Sequence, residues 1–359
     1  TTAGAQIDAV LDRIIPTLGY VATDFHQHSY FSPDSVVAPE THVVAYLAEG
    51  VEFIASSDHD THYDYEPLLE QLGVGDELDS AVGVETTPWD YGHFIGFPLA
   101  FDPMSPTGGA LDWSGGESGF VLPPEDIFKA LRAQGAKVVE VNHPRVASGP
   151  NFQNNFDRAG LRFDFQARTF FGDVGLQEFD AMTLGMPPDG KVFGANFDAV
   201  EIFNGFGAGA ADADGERLDK KVELNLRDWM NFLSFGFTPT PVGNSDSHSI
   251  FKDPSGLPRS LVRVPDDSKG AIAAGLVDAV TATVAGLGKP RDVIVTNTPF
   301  LQFTVDGMGI GTTVAHPGGP LVLHIEVKTP AWAPIDTVEV FANETFDVPS
   351  APPQRIEPA

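Results

Sequence analysis

The chain has 359 residues, no cysteine, and a formal charge of −29 from 21 basic and 50 acidic side chains. This length allows a large core with one big domain plus a smaller one, and the missing thiols exclude disulfides and thiolate sites, so any metal must rest on nitrogen and oxygen donors. The charge argues against a nucleic-acid backbone or an anionic membrane as partner, no apolar run is long enough to span a bilayer, and no basic-then-apolar leader precedes Thr1.

In chain order, Val21-Ala22-Thr23-Asp24-Phe25 reads as a strand that delivers His26-Gln27-His28 at its end. Pro39-Glu40-Thr41 opens a helix with Val43, Val44 and Leu47 on one face, and Gly50 stops it. Val51 to Ala55 is then a buried strand leading into Ser57-Asp58-His59, and Ala81-Val82-Gly83-Val84 is another that ends at Glu85. Pro124-Glu125-Asp126 starts a helix with Ile127 and Leu131 inward, and Val138 to Val141 leads into Asn142-His143-Pro144-Arg145. Ala199 to Phe203 forms a strand ending in Asn204-Gly205, a stripe of Val222, Leu226, Met230 and Leu233 predicts a helix, and Thr240-Pro241-Val242 leads to Asn244 through His248. This strand-helix rhythm is that of a parallel α/β barrel, whose C-terminal strand ends converge on one mouth.

Residues 1–265 are accordingly assigned to a barrel with long mouth loops at about 102–124, 148–191 and 205–215, each too long for an ordinary connection. Residues 266–359 are assigned to a helix plus a small antiparallel β appendage, read from Val293-Ile294-Val295, Leu301 to Val305, and the alternation of Leu321, Leu323, Ile325 and Val327. The lack of cysteine, the acidic surface and a start that reads as a trimmed mature end suggest an exported or periplasmic protein, with a cytoplasmic one as the alternative.

Six of the ten histidines fall in polar clusters at strand ends, partnered by Asp34, Asp58, Glu85 and Asp246. A single His-x-His motif is a weak signal, but a set of satisfied core histidines does not predict the joint pattern, whereas a site for several divalent ions does. His42, His316 and His324 read as surface residues, and His62 lies closer to the clusters. Glu201 reads equally as a carboxylate supporting the site and as a strand-end residue facing solvent. Trp89, Tyr91 and Phe206 are core or loop aromatics near the mouth, and Gly205-Phe206-Gly207-Ala208-Gly209 lacks the grammar of a nucleotide loop.

The ordered set His26-Gln27-His28, Asp34, Ser57-Asp58-His59, Glu85, His93, His143 and Asp246-Ser247-His248 resembles the metal signature of the PHP (polymerase and histidinol phosphatase) superfamily over residues 24–248. The segment Val295-Thr296-Asn297-Thr298-Pro299-Phe300 further resembles the carbaryl-hydrolase-like branch. The resemblance implies a distorted (β/α)7-like, TIM-like barrel holding two to three divalent ions, zinc, manganese or iron. It gives a first ion to His26, His28 and Asp246, a second to His93 and His143 with Glu85 bridging the two, and a third to Asp34, His59 and His248.

Such a site suits a hydrolase. A carboxylate bridging two ions sets them about 3.5–4 Å apart, where a shared water loses its proton near neutral pH and attacks an ester centre in line. Asp58 is expected to support a ligand or transfer a proton, and Arg145 to clamp a phosphoryl or carboxylate oxygen or else to form a structural ion pair. The first reading is a metal-dependent phosphoesterase acting on a small-molecule ester. A carboxylic ester or aryl carbamate hydrolase is the alternative, since the same chemistry attacks phosphorus or carbonyl carbon. A catalytically silent metal-binding module, or a proofreading-type domain serving a polymerase, is the rival from another class.

Overall fold

The computed structural model describes residues 14–17, 19–88, 91–114, 121–145, 154–172, 192–205, 220–281, 292–314, 318–341 and 354–356. Its elements begin with β1 (Tyr20–Asp24), α1 (Pro39–Glu49), β2 (Phe53–Ala55), α2 (Glu66–Leu72), β3 (Asp79–Ala81), β4 (Val84–Thr86) and β5 (Phe94–Phe97). Next come α3 (Pro124–Ala133), β6 (Val138–Val141), α4 (Asn155–Arg158), β7 (Arg162–Asp164), β8 (Thr169–Phe171), β9 (Ala199–Asn204), α5 (Lys220–Ser234), β10 (Thr240–Asn244) and β11 (Arg259–Arg263). The remainder is α6 (Ile272–Thr281), β12 (Val293–Thr296), β13 (Phe300–Val305), β14 (Leu323–Lys328), β15 (Val338–Val340) and β16 (Gln354–Ile356). No helix among the described residues is long and apolar enough to cross a membrane.

The strands form two five-stranded sheets, β12-β11-β1-β2-β3 and β10-β9-β6-β5-β4, with small two-stranded ladders elsewhere. The closed barrel ladder expected from sequence is not seen among the described residues, and the mixed α/β architecture departs from it in two ways. First, β4, β5 and β6 pair antiparallel, whereas β1–β2, β2–β3, β6–β9 and β9–β10 are parallel. Second, the run expected to be one strand from Ala81 to Glu85 breaks at Gly83, where the chain passes from one sheet to the other. A Cβ there would lie 2.6 Å from the Ser56 carbonyl and 3.0 Å from that of Gly96, so only glycine permits the approach. At the strand ends, single bridges join the sheets on both sides, Gln27 with Ser247 and His59 with Glu85.

β12 belongs to the first sheet, paired antiparallel with β11, so the main sheet continues beyond residue 265, and β13 pairs antiparallel with β14. Phe300 at the start of β13 packs with Ala22, Leu261 and Ile294. Against the second sheet, Phe94 of β5 joins Phe128, Phe156, Phe197 and Phe232 in a core with edge-on contacts such as Phe156–Phe232 at 5.7 Å, an arrangement that aromatic quadrupoles favour.

In two helices the buried face is shifted from the one apolar periodicity predicts: Val43, Leu47, Val222 and Leu226 pack inward as expected, but Val44 and Leu233 do not. In α1, which Gly50 closes at φ 69°, the buried residues are Pro39, His42, Val43 and Tyr46, while Val44 is 63% exposed. His42, expected at the surface, is fully buried because its ring atoms are satisfied: Nε2 donates to the His28 carbonyl at 2.8 Å and Nδ1 meets Ser255 Oγ at 3.0 Å. In α5 the buried face carries Val222, Asn225, Asp228, Asn231 and Phe232, whereas Leu233 is exposed. Of the other histidines, His324 is exposed as expected, and His316 lies outside the described residues.

Candidate metal centre

The centre forms where the ends of β1 and β10 are stitched together. Asp24, fully buried at the end of β1, accepts from His26 N (3.2 Å), Ser245 N (3.1 Å), Gly256 N (2.9 Å) and the Tyr46 hydroxyl (3.2 Å). Across the joint, Asp246 N donates to the His26 carbonyl and His28 N to the Ser247 carbonyl, each at 2.9 Å. Backbone bonds thus fix the His-x-His and Asp-Ser-His motifs against one another, independently of their side chains.

Glu85 lies at the middle, with no exposed surface. Its Oε1 faces His26 Nε2 (3.2 Å), His93 Nδ1 (3.3 Å) and His143 Nε2 (3.5 Å) and accepts from Asn142 Nδ2 (2.7 Å). Its Oε2 faces His59 Nδ1 (2.9 Å) and His28 Nε2 (3.5 Å). Asp246 Oδ1 reaches His26 Nε2 and His28 Nε2, both at 3.2 Å, and Asp34 Oδ2 reaches His248 Nε2 (3.2 Å) and His59 Nε2 (3.3 Å). The side chains of His26 and Glu85 are wholly buried, while those of His59, His248 and Asp34 are 15%, 26% and 52% exposed, so the centre opens on the Asp34 side.

The donor set fits divalent cations. His26 Nε2 and His28 Nε2 point at each other across 3.1 Å, within reach of two carboxylates. His59 Nδ1, His93 Nδ1 and Glu85 Oε2 are buried and lack a hydrogen-bond partner of adequate geometry, although each faces an oppositely disposed atom. Buried polar atoms left this way are costly unless something else satisfies them. Burial opposes ionisation of Glu85 and Asp246, but the imidazoles around them outweigh it: His26, His93 and His59 hold Glu85 well below the usual carboxylate range, and His26 with His28 does the same for Asp246. Burial would likewise lower His59, yet Glu85 and Asp34 bring it up to about 10.

All nine residues expected as ligands fall into four overlapping groups: His28-Asp34-His59-His248, His26-His143-Asp246, His26-His28-Glu85 and His59-Glu85-His93. The partition differs from the one the family resemblance implies. His143 groups with His26 and Asp246 instead of with His93, and His28 also joins the Asp34 group. The backbone of His143 has φ 26°, an uncommon conformation for a residue with a side chain, and its ring lies 5.6 Å from that of His26. Asp246 is similarly placed, at φ 49°.

Behind the ligands, Asp58 accepts from Ser29 N (2.7 Å), Ser29 Oγ (2.9 Å) and Ser32 Oγ (2.9 Å), and Ser32 Oγ meets His28 Nδ1 at 2.9 Å. This geometry suits the supporting role expected of Asp58 more than proton transfer to a substrate. Arg145 adopts the ion-pair arrangement. Its Nε bonds Asp228, Nη1 reaches Asp157 (3.1 Å) and Nη2 donates to the Leu161 carbonyl (2.8 Å), so its planar fork is committed to the protein. Asn225, on the same helix face as Asp228, accepts from Arg145 N at 3.0 Å, which explains the polar buried face of α5.

Glu201 proves to be fully buried, not solvent-facing, and touches His26 and the His143 backbone. Lys221, which apolar patterning gave no reason to single out, donates to Asn204 Oδ1, and Asn204 Nδ2 reaches Asp246 Oδ2 at 3.1 Å. His62 Nδ1 donates to the Ala100 carbonyl (3.0 Å) and belongs to none of the four groups. Tyr91 is buried in the core, whereas Trp89, Phe206 and the glycine-rich run after Gly205 lie outside the described residues. A cavity of about 650 Å³ contains none of the nine residues; it is a seam between Leu47, Arg259, Phe300 and Trp332.

Neither a protein-family model nor a curated protein sequence matches the chain. Among solved structures it is similar to a two-domain protein from Bacteroides vulgatus containing a predicted PHP-like metal-dependent phosphoesterase, at 15% identity, 94% coverage of both chains and a TM-score of 0.40. It is also similar to a lesion-specific endonuclease from Pyrococcus furiosus, at 14% identity and a TM-score of 0.41, covering 74% of this chain and 56% of that one. Likenesses this distant leave activity to be argued from the side chains.

Proposed function

We propose that the chain is a metal-dependent hydrolase of the PHP type, a distorted ring of strands with its centre at the strand ends, and that it cleaves phosphoester bonds. The observation that carries this reading is the convergence of five imidazoles, His26, His28, His59, His93 and His143, on the two oxygens of one buried carboxylate, Glu85. We assign Glu85 as the shared ligand, with His26, His28, Asp34, His59, His93, His143, Asp246 and His248 completing two to three sites for zinc, manganese or iron. Bound divalent ions would supply Lewis acidity toward an ester oxygen and water acidified to near neutral pH.

The residues of the chain do the rest. Glu85, wholly buried, supplies negative charge in a dry setting, where it acts far more strongly than in water, and Asp246 adds a second, partly exposed carboxylate. Ser32, backed by Asp58, orients His28. The exposed edge at Asp34, His59 and His248 is the side from which a substrate reaches the centre. A phosphoester is favoured over a neutral carbamate or carboxylic ester by Lys221, an ammonium one side chain removed from Asp246 in a protein of charge −29.

The test is a panel on protein stripped and reloaded with zinc, manganese or iron: p-nitrophenyl phosphate, its bis-aryl diester, a single-stranded oligonucleotide, p-nitrophenyl acetate and an aryl carbamate. Turnover of the phosphate esters is expected. Exclusive turnover of the acetate or carbamate moves the assignment to the alternative hydrolase class, and a loaded protein inert on every substrate supports a silent metal-binding module.

A further inference from the structure

Glu201, third residue of β9, has no exposed surface and four partners. Its Oε1 faces His26 Nδ1 (3.1 Å) and Asn244 Nδ2 (3.0 Å), and its Oε2 faces His143 N (2.6 Å) and Asn204 Nδ2 (2.9 Å). The two asparagine amides and the His143 backbone N–H are donors, and the His26 ring completes the set when its proton is on Nδ1. A carboxylate accepts at both oxygens and donates from neither, so it matches four donors, whereas a glutamine would set an NH2 group against two of them.

We infer that Glu201 is a positioning residue dedicated to the pocket formed by His26, His143 and Asp246. It engages all three members. It holds the proton of His26 on Nδ1, leaving the Nε2 lone pair toward Glu85 and Asp246. It grips the backbone of His143, whose φ of 26° needs an external restraint, assisted by Asn154, which bonds the His143 carbonyl. It reaches Asp246 through Asn204, whose second amide hydrogen spans to Oδ2 at 3.1 Å. The group on the open side is oriented by other means: His28 by Ser32, and His248 by the Asp246 carbonyl at 2.9 Å. Loss of Glu201 therefore weakens the ion site of His26, His143 and Asp246 and spares the open-side site of Asp34, His59 and His248. This inference rests on the metal-centre reading above but not on which bond is cleaved.

The experiment uses the full chain, stripped with chelator and titrated with Co2+ and Zn2+. Ions per chain are measured by mass spectrometry of the metal, cobalt d–d absorption reports each site, and circular dichroism reports the fold. Glu201→Gln is expected to weaken one site about 10- to 100-fold, the range typical of partners that orient a ligand. The remaining ions should bind as in the wild type, with one cobalt component lost and the dichroism unchanged. Asn204→Ser, which cuts the Glu201–Asp246 link together with the Lys221 contact but leaves the Glu201 bonds to His26 and His143, should weaken the same site several-fold and keeps the question answerable if Glu201→Gln does not fold. Wild-type affinity at every site in both variants overturns the inference, as does equal loss of all ions. A wild-type chain that binds no ion overturns it together with the metal-centre reading. A wild-type chain that loads normally but cleaves no phosphoester overturns only the functional assignment.

Discussion

His59 and Glu85 are joined twice: their backbones form an isolated bridge between the segment following β2 and β4, and their side chains meet at 2.9 Å inside the candidate centre. One of the two joints between the sheets therefore shares residues with the middle of the metal site. Metal binding should then stabilise the fold itself, because a ligand bound only by the native state adds about 2.7 kcal/mol at a hundredfold excess over its dissociation constant. Chelation is expected to lower the melting temperature of the wild type by several degrees. Glu85→Gln should bind fewer ions and show a smaller drop in melting temperature on chelation than the wild type, as followed by calorimetry.

Gly83→Ala should damage both fold and site. The added methyl group meets two backbone carbonyls, of Ser56 and Gly96, neither of which can rotate away as a side chain could. Overpacking of this kind costs about 1–3 kcal/mol or more. Urea unfolding should show that loss, with reduced metal affinity, since the crossing at Gly83 sets the position of Glu85 two residues on.

Arg145 and Lys221 should separate cleanly. Arg145→Met leaves Asp228 buried without its cation, a change that costs about 3–5 kcal/mol in comparable pairs. It should lower stability while leaving the KM of the folded fraction for phosphate esters unchanged. Lys221→Met should do the reverse. Stability is expected to change little and KM for phosphate esters to rise about tenfold, or about 1.4 kcal/mol, with a smaller effect on any neutral ester. Steady-state kinetics alongside denaturant titration distinguish the two outcomes.

His42 predicts a pH effect of definite sign. Burial lowers its pKa from 6.5 to about 4, so the folded state keeps the ring neutral while the unfolded chain takes up a proton below pH 6.5. The stability contributed by the neutral ring is complete above pH 6.5 and is lost as pH falls toward 4, by up to about 3 kcal/mol. In metal-free protein, His42→Asn should be less stable than wild type at pH 8. The gap should narrow steadily from pH 6.5 to 4, and a constant gap would remove this account of the buried ring.

Seven of the nine clustered residues, all but Asp34 and His93, are legible in the sequence because metal chemistry restricts ligands to few residue types and strand periodicity shows where each short apolar run ends; Asp34 and His93 come from the family resemblance. His26, His59, Glu85, His143 and Asp246 each follow such a run at a spacing that local sequence sets. The strand-helix order is legible for the same reason, since both periods are local.

Which atoms face which is not legible, because that depends on pairings between residues far apart and on backbone angles with no sequence mark. The positive φ of His143 and Asp246 gathers them with His26, Gly83 divides one expected strand between two sheets, and β12 joins β11 across a sequence gap. Buried polar residues are hidden for a related reason. The hydrogen bonds that make burial of His42, Asp228 and Glu201 tolerable come from partners that only the folded chain brings near, so hydropathy puts His42 at the surface, leaves Asp228 off the apolar stripe of its helix and leaves Glu201 undecided. Tertiary contact turns Arg145 from a candidate substrate clamp into an ion-pair anchor and brings Lys221 to the edge of the centre.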